Sequence, residues 1–118
     1  MPKSISRTTK RAARKRSRVV APSVAYEPWL IERLKNPAEA AAYLEAVLEE
    51  GNQAALMLAL RQVAQAQGGI AKVARKAKLT REATYKMLSP SGNPELRSLK
   101  AVLAATGLRI AVRPIDLT

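Results

Sequence analysis

Apolar residues recur along this chain with a helical period, and Gly, Asn and Pro divide the recurrence into separate segments. Leu44, Val47 and Leu48 stand at i, i+3 and i+4, and Leu56, Leu60, Val63 and Ala64 at i, i+4, i+7 and i+8. Those spacings put each set on one face of a helix and predict two core-facing stripes. A shorter amphipathic stretch, Glu27 to Leu34, precedes them and is stopped by Lys35-Asn36-Pro37. Asn36 is the expected N-cap of the first long helix. Pro37 takes the first helical position, where a missing N–H is no loss, and Glu39 completes a capping box. Glu49-Glu50-Gly51-Asn52 ends that helix and starts the next, which Gly68-Gly69 terminates.

Two short helices are predicted after Gly69. The first, Ile70 to Ala77, buries Ile70, Val73 and Ala77, and its small Ala74 offers a place for a second helix to cross closely. Leu79 plugs the turn and Thr80 caps the second helix. That helix turns Ala83, Met87 and Leu88 inward and leaves Arg81, Glu82, Tyr85 and Lys86 on its outer face. The pattern is that of a helix-turn-helix; the alternative is an ordinary αα-hairpin with a solvated charged face. Asn93-Pro94 repeats the cap-plus-proline start of Asn36-Pro37, Leu96, Leu99 and Leu103 supply the inward face of a last helix, and Gly107 is its C′ residue. Leu108 to Pro114 then alternates apolar and mostly charged residues with period two, which predicts one half-buried strand. The expected fold class is therefore all-α: a small bundle of five or six helices plus one short C-terminal β-strand.

Composition agrees with helix over sheet: 22 Ala and 14 Leu against 8 Val, 5 Ile and no Phe. The chain has no His and no Cys, which removes imidazole bases, thiol nucleophiles, His/Cys zinc sites and disulfides. Asp116 is the sole aspartate, so paired-carboxylate catalysis would fall to eight scattered glutamates. No enzyme, metal or cofactor is expected. The longest wholly apolar run, Ala54 to Leu60, is far short of the roughly 20 residues that span a bilayer, and no apolar segment follows the basic start as in a secretory signal.

Charge changes the picture more. The net charge is +12, and it is segregated: residues 1 to 25 carry eight bases and no acid, 26 to 66 carry three bases and six acids, and 70 to 90 carry six bases and one acid. Met1 to Arg18 has too little apolar surface to fold, so 1–25 is expected to be a disordered basic tail and linker ahead of a helical domain at 26–118. The tail suits non-specific phosphate binding, an Arg-rich transit peptide or a solubilising extension. The basic centre coincides with the two short helices. Arg81, Tyr85 and Lys86 lie within one and a half turns, long enough to reach base edges from a helix in the major groove, with Thr80 and Glu82 as secondary base contacts. Glu82 is expected to orient Arg81 through a side-chain pair rather than to contact cytosine. Lys72, Arg75 and Lys76 are the expected phosphate contacts.

Glu49-Glu50-Gly51-Asn52, Ala66-Gln67-Gly68-Gly69-Ile70-Ala71-Lys72-Val73-Ala74, Leu79 through Lys86, Ser91-Gly92-Asn93-Pro94 and Leu99 through Leu103 together resemble the addiction-module antidote protein family. The resemblance covers roughly Tyr26 to Pro114. It implies a bacterial, cytoplasmic, nucleoid-associated antitoxin with a Cro/CI-type (lambda-repressor-like) helix-turn-helix, which neutralises a small RelE/HigB-like toxin and represses their shared promoter. Such toxins are generally basic ribonucleases, which makes the acids Glu45, Glu49 and Glu50 the expected toxin interface. A free-standing phage-type repressor, a toxin inhibitor with vestigial DNA binding, and a nucleoid-like protein without sequence preference are the competing readings. Lys78, where a turn glycine is common, and Thr84, where the family usually has a larger apolar residue, depart from the pattern. A homodimer on a palindromic operator is expected, with Leu108, Ile110 and Val112 at its interface.

Overall fold

The computed structural model describes residues 27–116, and the expected tail and linker at 1–25 lie outside them. The chain forms α1 (Pro28–Arg33), α2 (Pro37–Glu50), α3 (Gln53–Ala66), α4 (Ile70–Ala77), α5 (Arg81–Met87) and α6 (Leu96–Ala105). No helix among the described residues is long and apolar enough to cross a membrane.

Local chemistry sets most of these boundaries. Asn36 Oδ1 accepts from Ala38 N at 2.8 Å and Glu39 N at 3.3 Å, capping α2 as its sequence predicts. The other half of the capping box is not made: Glu39 pairs with Arg33 at 3.2 Å, and the Asn36 N–H donates to the Arg33 carbonyl. Gly51, at φ 75°, ends α2, and Asn52 caps α3 by accepting from Ala55 N at 3.0 Å. At the end of α6, Gly107 N returns to Ala104 O and Leu108 N to Leu103 O, at 3.0 and 2.8 Å. This is a Schellman closure, which folds Leu108 back beside the core.

The start of α6 differs from expectation. Glu95, not Asn93, is its N-cap, and it makes no side-chain cap. Gly92 is buried and its carbonyl accepts from Gln53 Nε2 at 3.1 Å, so the chain stays tied to α3 until it has passed Pro94. Leu96 thus opens the helix at the surface, and Val102 and Leu103 provide the buried face with Leu99 half-buried beside them.

α3 lies at the centre, against α1, α2 and α4, while α4 packs on α5 and α6. One apolar cluster joins Leu34, Leu44, Met57, Leu60, Val63, Leu88 and Leu103, and a second joins Ala64, Ile70, Val73 and Val102. On α2 the buried positions are Ala40 and Leu44, with Val47 half-buried, so the stripe runs at i, i+4 and i+7. Leu48, expected inside, is 58 % exposed at its edge. The predicted C-terminal strand is not formed: no strand occurs among the described residues, and Arg109 to Ile115 make no backbone hydrogen bond there. The physical reason is that a ladder needs a second strand, and a helical chain supplies none.

Candidate nucleic-acid interface

α4 and α5 are joined by Lys78-Leu79-Thr80, and each of the three holds the turn differently. Lys78 takes the left-handed conformation, φ 62° and ψ 39°, the single non-glycine residue with positive φ among the described residues. It does so to close α4: Lys78 N donates to Arg75 O at 3.1 Å and Leu79 N to Ala74 O at 2.9 Å, and Leu79 packs half-buried against the cluster of Ala64, Ile70, Val73 and Val102. Thr80 Oγ1 then accepts from Ala83 N at 3.1 Å and starts α5. A left-handed lysine costs on the order of 1 kcal/mol relative to glycine in the same geometry. Lys78→Gly is accordingly expected to raise the thermal midpoint by a few degrees, read by circular dichroism, with the fold unchanged.

The inward face of α5 is not the predicted one. Ala83 is exposed, Met87 half-buried and Leu88 fully buried, as is Thr84, at 0 %. Burying a threonine requires a partner for its hydroxyl, and Thr84 Oγ1 donates to Thr80 O, one turn back, at 2.8 Å. The departure at Thr84 is thereby accommodated, with the methyl inside and the hydroxyl satisfied.

On the outer side, Thr80, Arg81, Glu82, Tyr85 and Lys86 are exposed, as are Lys72, Arg75, Lys76 and Lys78 on the α4 side. Six cations thus share the α4–α5 pair with one acid, and among the described residues none of them is paired with a carboxylate. The expected Arg81–Glu82 pair is absent. Instead the Arg81 guanidinium lies over the Tyr85 ring, 5.8 Å from its centroid, as a residue one turn along the helix allows.

Sequence reasoning missed the residues that fix the far end of α5. Arg61 of α3 donates from Nη1 to Leu88 O, and Gln53 holds Gly92. Arg61 carried one available signal: α3 contains no acid, so the guanidinium had no partner on its own helix.

The expected toxin-facing acids lie on α2, away from this basic pair. Glu45, Glu49 and Glu50 are all exposed; Glu45 pairs with Arg113 at 3.2 Å, while Glu49 and Glu50 make no ion pair among the described residues. Tyr43 on the same helix donates to Gln62 Oε1, and its hydroxyl is raised above the ordinary tyrosine range by burial first and the Glu50 charge second. The structure brings Glu45 and the C-terminal segment together around an apolar groove of about 400 Å³. Leu108 is half-buried in it, Ile110 is 44 % exposed and Val112 93 % exposed. No group of His, Cys, Asp or Glu among the described residues is placed to hold a metal ion.

A family model described as "Probable addiction module antidote protein" matches residues 29–114. An uncharacterized protein of Haemophilus influenzae (strain Rd) is 34 % identical over 82 residues, which is 70 % of this chain and 84 % of that protein. No solved structure matches the chain.

Proposed function

We propose that this chain, which belongs to the probable addiction module antidote protein family, is a DNA-binding antitoxin that neutralises a RelE/HigB-like toxin and represses its own operon. An antidote implies a toxin as partner, and that much comes with the family. In the fuller reading α4 and α5 act as a Cro/CI-type helix-turn-helix. α5 lies in the major groove, where Arg81, Tyr85 and Lys86 reach base edges, with Thr80 and Glu82 beside them. Lys72, Arg75 and Lys76 neutralise phosphates and set register. The basic tail at 1–25 adds charge-driven affinity to the 26–118 domain without adding preference. The protein acts on the bacterial nucleoid in the cytoplasm as a homodimer, on a palindrome with half-sites about one helical turn, or a whole multiple of it, apart.

The observation that carries this reading is the row of unpaired cations around α4 and α5, with Arg81 held on Tyr85 at the exposed face. Solvated surface charge commonly has both signs interspersed, as at the end of α1, where Glu32 pairs with Lys35 just beyond the helix at 3.0 Å. Vestigial DNA binding draws its support from Lys78 and Thr84, and both positions are internally accommodated. Mutations separate the proposed roles. Arg81→Ala is expected to cost about 1–3 kcal/mol on the operator and to relax preference at one base pair, whereas Lys72→Ala weakens binding to all sequences about equally and lowers the salt slope by about one. Gel shifts on a mutated operator series read both. Equal loss on every sequence for Arg81→Ala would remove it from the base-reading set, and no operator binding by the unaltered chain would leave only the toxin-inhibitor reading.

A further inference from the structure

We propose that residues 108–112 are a self-pairing edge, and that two copies of this chain join antiparallel through them with Ile110 opposite Ile110. This gives the dimer invoked above its interface, and it holds whether or not the chain reads DNA. The segment leaves α6 with its backbone unpaired from Arg109 to Ile115 among the described residues. An exposed, unpaired edge carrying apolar side chains is a template for another strand. A two-fold related copy offers an identical edge in the antiparallel sense, so one contact satisfies both.

Side-chain pattern and charge select the register. Leu108, Ile110 and Val112 alternate, and exposure climbs along them from half-buried Leu108 through Ile110 at 44 % to Val112 at 93 %, so apolar surface is left uncovered toward the free end. With the axis at Ile110, Ile110 meets its own copy, Leu108 meets Val112 of the copy, and Arg109 meets Ala111. Over 108–112 every cross-strand pair is then apolar with apolar or arginine with alanine. Moving the axis to Ala111 sets Arg109 opposite Arg113, and moving it to Arg109 sets that arginine opposite itself; like charges directly opposite are unfavourable. An axis at Val112 draws Pro114 into the ladder, where it has no N–H to give.

The rest of the fold presents the segment for this use. Arg113 is pinned to Glu45 at 3.2 Å, so the segment is held at both ends, by that pair and by the closure of α6. Leu44, Leu48, Leu60, Leu99 and Leu103 line the groove beside it, and Leu48 is 58 % exposed at its edge. The apolar side chains of a two-stranded ribbon at this place close over that groove in each copy, which is what a ribbon needs, since an isolated pair of strands is marginal in water.

The chain contains no cysteine, which makes the register directly readable. Full-length Ile110→Cys and Ala111→Cys are compared under mild oxidation on a non-reducing gel, and the chain ending at Leu108 is weighed by light scattering with circular dichroism as the folding control. In the proposed register two copies of residue 110 face each other at a distance a disulfide spans, while copies of residue 111 stand diagonally, beyond its usual reach. Ile110→Cys is expected to become largely covalent dimer, with Ala111→Cys at least about tenfold slower. The shortened chain is expected to be a helical monomer. Equal or faster linking through residue 111 overturns the register, and a dimer that survives the truncation overturns the interface. A full-length chain that is monomeric by itself also overturns the proposal, in favour of a segment that augments a toxin's sheet. No DNA enters these measurements, so a failed operator search leaves their outcome intact.

Discussion

Glu45, Glu49 and Glu50 reversed together to lysine are expected to abolish rescue from the partner toxin in a co-expression growth assay. The reason lies in where the chain keeps its negative charge. Its formal charge is +12, yet α2 carries four glutamates and no base, and Glu49 and Glu50 face solvent without an ion pair among the described residues. A toxin of the basic kind proposed above would meet the opposite sign at α2 and repulsion at α4 and α5. Close interfacial charge pairs couple by about 1.5 kcal/mol or more, so three reversals together amount to roughly 4 kcal/mol, near a thousandfold in affinity. Folding is expected to survive, because all three side chains are exposed and the Arg113–Glu45 pair is a solvated one. A folded variant keeps the Tyr43 hydroxyl above its ordinary range through burial, while the part due to Glu50 reverses sign. Base preference in operator gel shifts should be unchanged, since α4 and α5 are untouched, and any uniform fall in operator affinity would trace to the lost Glu45–Arg113 pair that steadies the pairing segment. Undiminished rescue would move the toxin surface to the tail or the C-terminal segment.

What the sequence makes legible here is what is decided locally. Asn36, Asn52, Thr80, Gly51 and Gly107 mark helix ends through bonds to residues two to four positions away, and the structure has a helix boundary at each. The bounds of α4 follow for the same reason: Gly69 and Lys78 are both visible as turn positions. Misplaced inward faces have a different origin. Period alone cannot say which edge of an apolar stripe meets a neighbour, so it places Leu48 and Leu96 inward, and both lie outside. Thr84 departs from the larger apolar residue usual in the family, but its methyl packs while its hydroxyl is satisfied one turn back on its own helix, and Ala83 is small enough to be left at the surface. At the candidate site, the outer residues of α5 could be read from the sequence because exposure of long charged chains is the cheap outcome for a helix face. The Arg81–Tyr85 contact could not, since Glu82 offered Arg81 a nearer opposite charge. Arg61 and Gln53 were invisible for a further reason: their acceptors, Leu88 and Gly92, lie 27 and 39 positions away along the chain.

Gly92→Ala is expected to be far more destabilising than Gly51→Ala or Gly107→Ala, although Gly92 marks no helix end and has an ordinary φ. Those two have positive φ, but a Cβ on either meets nothing within 4 Å, so alanine there carries only the backbone cost of about 1 kcal/mol. A Cβ on Gly92 would stand 2.0 Å from the Met87 carbonyl oxygen and 2.7 Å from its carbon, with the Ser89 oxygen at 3.0 Å. All three are backbone atoms, so no side-chain rotation relieves the overlap. Relief requires the last turn of α5 and the 89–92 loop to part, which strains the bond of Gln53 to Gly92 and shifts Leu88, the fully buried anchor of α5 whose carbonyl Arg61 holds. Overpacking of this kind costs about 3 kcal/mol, or a fall of more than roughly 10 °C in the thermal midpoint for a domain of this size. Because the strain acts at the end of α5, operator binding should fall more than the folded fraction does. Gly107→Ala, equally remote from the outer face of α5, should lose only what its stability dictates. Thermal melts and gel shifts on the two variants, compared at a temperature where both are folded, check this. Equal stability losses would mean that the loop yields without disturbing α5.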